Sequence, residues 1–166
     1  MRNRRGWMLY LMGLAMAGTA FAQTVDTPKF YKLEFVVKEV EGGKVVNTRS
    51  FSTMLGVAPT QERATIRTGG RLPISNSNGG GVSYLDVGVN LDCSALKELQ
   101  NDVSLYVTAD ISSAGQDSAS VPPVIRQNRW SSTVILPAKK PTVIFASDDM
   151  TSKRQMQLEL TATPIK

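Results

Sequence analysis

The run VSYLDVGVNLDC, Val82 to Cys93, decides the fold class of this chain. Leu85, Val87, Val89, Leu91 and Cys93 alternate with Tyr84, Asp86, Gly88, Asn90 and Asp92. Successive side chains of a β-strand point to opposite faces, so a period of two puts the first set on one side and the second on the other. The apolar set is expected to face a core and the polar set to face water.

The same period recurs on both sides of this run. Upstream, Tyr31, Leu33, Phe35 and Val37 alternate with Lys32, Glu34, Val36 and Lys38. Glu41-Gly42-Gly43-Lys44 then supplies two glycines able to take the positive φ values of a tight turn, and Val45 to Leu55 resumes at once, so an antiparallel hairpin is expected. Gly56 to Glu62, with Pro59, reads as a loop. Two short strands, Ala64 to Thr68 and Leu72 to Ser75, are expected on either side of Gly69-Gly70, and Asn76 to Gly81 reads as a mobile connection. Downstream, Ser94 to Asp102 has a local helical flavour of about one turn, from Leu96 and Leu99.

Val103, Leu105, Val107, Ala109 and Ile111 resume the strand pattern, and Ser112 to Ser120 reads as an exposed polar segment. Val124 to Trp130, Ser131 to Leu136, Thr142 to Ser147 and Arg154 to Thr163 complete the strand set. The expectation is an all-β fold, an antiparallel sandwich or curled sheet of eight to nine short strands.

Residues 1–22 read as a signal helix removed on export. Arg2, Arg4 and Arg5 precede an apolar stretch of eleven residues, Trp7 to Ala17, and Ala20-Phe21-Ala22 has the small-x-small pattern cut before Gln23. Cleavage between Ala22 and Gln23 leaves residues 23–29 as a tether and 30–166 as a single domain, periplasmic or secreted. It also lowers the formal net charge from +5 to +2. Lys139-Lys140 and Lys153-Arg154 fall where turns are expected, so no nucleic-acid partner is indicated. Cys93, the single cysteine, has no intramolecular partner and reads as a buried small hydrophobe.

The chain has no histidine, which removes the usual base of Ser and Cys hydrolases and the commonest zinc ligand. Asp86 and Asp92 share a strand face, but six residues of strand separate them by about 20 Å, too far for joint acid-base work. Asp148-Asp149 lacks the spaced oxygen ligands of a calcium loop, and the glycine clusters lack phosphate-loop or dinucleotide-turn spacing. No catalytic residue, metal site or cofactor is assigned, and the chain is read as a non-enzyme. Arg126, Arg129 and Trp130 form a candidate contact patch, because Trp and Arg are favoured interface anchors.

Two stretches carry a family resemblance. ATIRTGGRLPI, Ala64 to Ile74, followed by a Gly-rich insert and YLDVGVNLD, Tyr84 to Asp92, resembles the core of the bacterial secretin family's outer-membrane ring domain. The positions that carry it are Gly69, Arg71, Pro73, Tyr84, Asp86, Gly88 and Leu91. Asp102 to Ser113 and Asn128 to Phe145 resemble the family's next strands in the same order, so the similar stretch is 64–147.

Ile144-Phe145-Ala146-Ser147 stands where the family continues into glycines, and the family's closing Pro-Leu-Gly segment and N-terminal ring domains have no counterpart. The resemblance implies a secretin-like β-domain detached from the channel machinery, with cell-envelope proteins such as secretion or pilus components as partners and outer-membrane association as one location. The alternative is a stand-alone β-sandwich module whose Gly-rich and Ser-rich loops bind a small ligand or polysaccharide. Membrane contact and oligomeric state are left open.

Overall fold

The computed structural model describes residues 29–59, 62–75, 81–114, 125–150 and 152–165. The expected signal helix, nearly all of the tether, most of the Asn76 to Gly81 connection and the greater part of the Ser112 to Ser120 segment lie outside these residues. Among the described residues every regular element is a strand, and there are eight.

The opening hairpin forms as expected. Strand β1 (Phe30–Glu41) pairs antiparallel with β2 (Lys44–Gly56), and Gly42 and Gly43 turn the chain at φ values of 57° and 80°. On its other side β1 pairs with β8 (Arg154–Ile165), which pairs with the short β7 (Thr142–Asp148). This sheet has the order β2-β1-β8-β7. The second is an antiparallel meander of β3 (Arg63–Ser75), β4 (Val82–Leu99), β5 (Asp102–Ala114) and β6 (Ile125–Pro137).

One core joins the two sheets, and the alternation read from sequence supplies most of it. Leu33 and Phe35 of β1, Leu91 of β4, Leu105 and Val107 of β5, and Leu158 and Leu160 of β8 are completely buried in a single cluster. The central strands carry the core, whereas the edge strand β2 buries little beyond Leu55. At the other side Trp130 of β6 stacks on Phe145 of β7 with ring centroids 5.6 Å apart, bridging the sheets where the chain crosses between them.

Three expectations change. The strands are long: β4 alone has 18 residues. Gly69-Gly70 does not interrupt its strand, since β3 pairs with β4 continuously from Arg63 to Ser75, and β6 is likewise one strand through Trp130 and Ser131. Ser94 to Leu99 is strand and not a helical turn. A bulge between Ser94 and Lys97, with Ala95 at φ 55°, absorbs one extra residue and turns Leu96 into the core. The Leu96 and Leu99 spacing that suggests a helix comes from that bulge, because Leu99 is exposed.

Candidate functional site

The β3–β4 register brings the residues singled out in the sequence together as cross-strand pairs. Gly69 lies opposite Gly88, Arg71 opposite Asp86, and Pro73 opposite Tyr84. These six positions occupy one face of a two-stranded ribbon. The seventh, Leu91, is opposite Ile66 and belongs to the core.

Each pair has a distinct physical basis. A Cβ on Gly69 would collide with the Val87 carbonyl oxygen, and one on Gly88 with the Thr68 carbonyl oxygen and the Gly69 Cα. Gly88 also sits at φ 156°. The two backbones therefore approach more closely than side-chain-bearing residues allow, which explains why two glycines stand opposite each other inside long strands. Arg71 Nε donates to Asp86 Oδ1 at 2.9 Å, with the two side chains 73% and 79% exposed. Pro73 costs the sheet nothing, because β3 is an edge strand with no neighbour beyond it. Tyr84 remains 66% exposed.

The glycine pair marks a fork. The β4–β5 ladder ends at Val89–Ile111, although β4 begins seven residues earlier, at Val82, and β5 continues to Ala114. At the branch the Gly88 N–H donates to Ser112 Oγ at 3.1 Å, a side-chain bond in place of the next rung. Beyond it β3–β4 and β5–β6 run as separate ribbons. The β3–β4 ribbon has its other face set with Leu72, Ile74, Leu85 and Val87, all partly exposed. The sequence alternation is correct there in sign, but full burial begins only at Val89.

The carboxylates follow the same cross-strand logic. Arg67 Nη2 donates to both carboxylate oxygens of Asp92 at 2.8 Å, and Asp110 accepts from Arg129 at 2.8 Å and from Gln127 at 2.9 Å. Although burial opposes it, the bonds from Gln127 and Arg129 hold the Asp110 carboxyl below the usual range. At the opposite end, Glu98 takes bonds from Lys29 Nζ at 2.8 Å and Tyr31 Oη at 3.0 Å, tying β1 of one sheet to β4 of the other. Lys29 and then Tyr31 draw Glu98 down, and Tyr31 itself is raised to about 12, by burial first and then by Glu98.

The residues Arg126, Arg129 and Trp130 are not gathered into a patch. Trp130 turns inward on Phe145, Arg129 lies on the outward face with Asp110, and Arg126 reaches Asp149 at 3.1 Å near the open end between the sheets. Strand alternation separates residues 129 and 130 by itself. Nor do Tyr84 and Asp86, on the ribbon, share a site with Trp130. No grouping of three or more metal-ligating side chains exists among the described residues.

Two facing antiparallel four-stranded sheets, one of them drawn out into a β3–β4 ribbon, have the fold of the secretin β-domain. The secretin domain of InvG from the Salmonella SPI-1 injectisome superposes with a TM-score of 0.55 at 4% identity, over 84% of this chain and 64% of that one. The secretin GspD in the ETEC pilotin–secretin complex AspS–GspD gives 0.55 at 10% identity over 84% and 50%, and the type II secretin GspD of enteropathogenic Escherichia coli gives 0.54 at 10% over 84% and 70%. This chain thus spans about half to two thirds of those chains. No protein-family model and no curated protein matches the sequence. The similar region extends past the 64–147 stretch that carries the sequence resemblance, because 84% coverage of 166 residues cannot be reached without strands beyond it.

Proposed function

We propose that this protein is an exported, non-enzymatic secretin-like β-domain that works through protein contacts in the cell envelope, in a secretion or pilus assembly. The observation that carries the reading is the superposition on secretin β-domains over most of the chain. The neighbouring structures include a secretin solved with its pilotin and one solved with the basal-body proteins PrgH and PrgK, which supports envelope components as the partner class. Export by cleavage between Ala22 and Gln23 would deliver the domain to that compartment, in the periplasm or at the outer membrane.

Edge strands are the natural contact surface. β2 and β7 bound one sheet and β3 and β6 the other. An edge strand presents a row of backbone donors and acceptors to any strand added beside it. The test is chemical cross-linking in intact envelopes of cells producing the tagged full-length protein, followed by identification of the adducts. Recovery of secretion, pilus or outer-membrane components supports the reading. Adducts confined to unrelated soluble proteins, or none at all, would overturn it.

A further inference from the structure

From the fork in the β3-β4-β5-β6 sheet we infer a binding site for the free C-terminal carboxylate of an extended peptide. The space in the angle of the fork has a volume of about 650 Å³, within the range of small-ligand sites. Its walls come from both sheets: Arg49, Ser50 and Phe51 of β2, and the segments around Gly69, Gly88 and Ser113. Three glycines, Gly69, Gly70 and Gly88, and three serines, Ser50, Ser112 and Ser113, make up half of the lining. That half of the lining presents main chain and hydroxyls.

Three observations point to the ligand class. The cavity lining holds one charge, the Arg49 guanidinium, and no carboxylate. Among the described residues Arg67, Arg71, Arg126, Arg129 and Arg154 each have an acidic partner within 4 Å, whereas Arg49 and Arg63 have none, and of these two Arg49 lines the cavity. Glu39 shares an adjoining crevice with Arg49 but takes its bond from Asn47 Nδ2 at 3.5 Å. Arginine's fork of donors matches a carboxylate two-to-two.

The third observation selects a peptide over a free anion. β4 and β5 part at the Val89–Ile111 rung, and β2 is itself an edge strand, so strands that border the cavity end or lack a ladder beside it. An extended chain can pair with such backbone while its terminal carboxylate meets Arg49. Phe51 and Val87, both partly exposed, provide an apolar surface for its last side chain. This site borders the β2 edge named above, but its dependence on Arg49 and on a free carboxylate lets it stand or fall without those contacts.

The experiment uses isotope-labelled mature protein and a pool of random hexapeptides built from Ser, Thr, Val and Ile, with free C-termini, at millimolar total concentration. Amide shifts of Gly69, Gly70 and Gly88 should move with this pool. They should move at least about tenfold less with the same pool amidated, or in Arg49→Gln, since a charge-assisted bond is worth roughly 1.5–3 kcal/mol. Arg49 is exposed on an edge strand, so the variant retains its fold, which circular dichroism verifies. Equal shifts with acid and amide pools, unchanged binding in Arg49→Gln, or no shift with the acid pool would overturn the site. Shifts as large with acetate alone would overturn the peptide assignment.

Discussion

At Gly88 the absence of a side chain is a structural requirement. Its position opposite Gly69, with the Thr68 carbonyl oxygen in the space a Cβ would take, means that Gly88→Ala must push β3 and β4 apart at the branch of the sheet. A loss of about 1–3 kcal/mol is expected from such overpacking. Urea unfolding of the mature protein would show it, and a variant as stable as the parent would contradict the close approach. Cys93 makes the opposite case. Its thiol is 1% exposed, and burial first, then the neighbouring Asp92, pushes it up to about 12. A raised thiol pKa leaves the unreactive protonated form in the folded state at pH 8. Native protein should therefore release no chromophore from a disulfide reagent at that pH, and urea-unfolded protein should release one equivalent. The buried-hydrophobe reading of Cys93 was available from the strand pattern. The pairing of Gly69 with Gly88 was not, because alternation within one strand carries no information about the strand beside it.

At the scale of elements, the ribbon and the core should respond differently to loss of a side chain. Arg71 and Asp86 are both more than two thirds exposed, so Arg71→Ala is expected to cost at most about 1 kcal/mol. Leu91→Ala on the same hairpin leaves a cavity in the core and should cost about 2–5 kcal/mol. Comparable losses in thermal or urea unfolding would show that the ribbon is part of the folding core and not an extension from it. Central strands were legible in the sequence because one face of each is dry: the buried sets of β1 and β5 are those the alternation selects. The bulged end of β4 was not. At Ala95 the period breaks, and only pairing with β5 beyond the bulge keeps Lys97 to Leu99 extended. The continuity of β3 through two glycines has the same origin, since β4 supplies the rungs that glycine's own preferences would not predict.

For the whole molecule, the outward faces bear on where the domain can sit. One sheet shows Lys32, Glu34, Lys38 and Glu159, joined in ion pairs at 2.8 Å, and the other shows Arg67 with Asp92 and Arg129 with Asp110. A lipid-facing barrel wall needs an apolar band about 25 Å tall, which charges spread across both sheets interrupt. Purified mature protein should accordingly remain in the aqueous phase when a detergent solution is warmed through its cloud point. Partition into the detergent phase would contradict water-facing sheets.

The proposed mode of action is contact through the sheet edges. It is tested most directly by placing a photo-crosslinking amino acid in cells at Thr48 on β2, at Ile135 on β6 and, for comparison, at Glu34 on the central strand β1. Thr48 and Ile135 are exposed on edge strands, whereas Glu34 is flanked by β2 and β8. Adducts to another polypeptide are expected from the two edge positions, and few or none from Glu34. Adducts from Glu34 alone, or none from either edge, would contradict it.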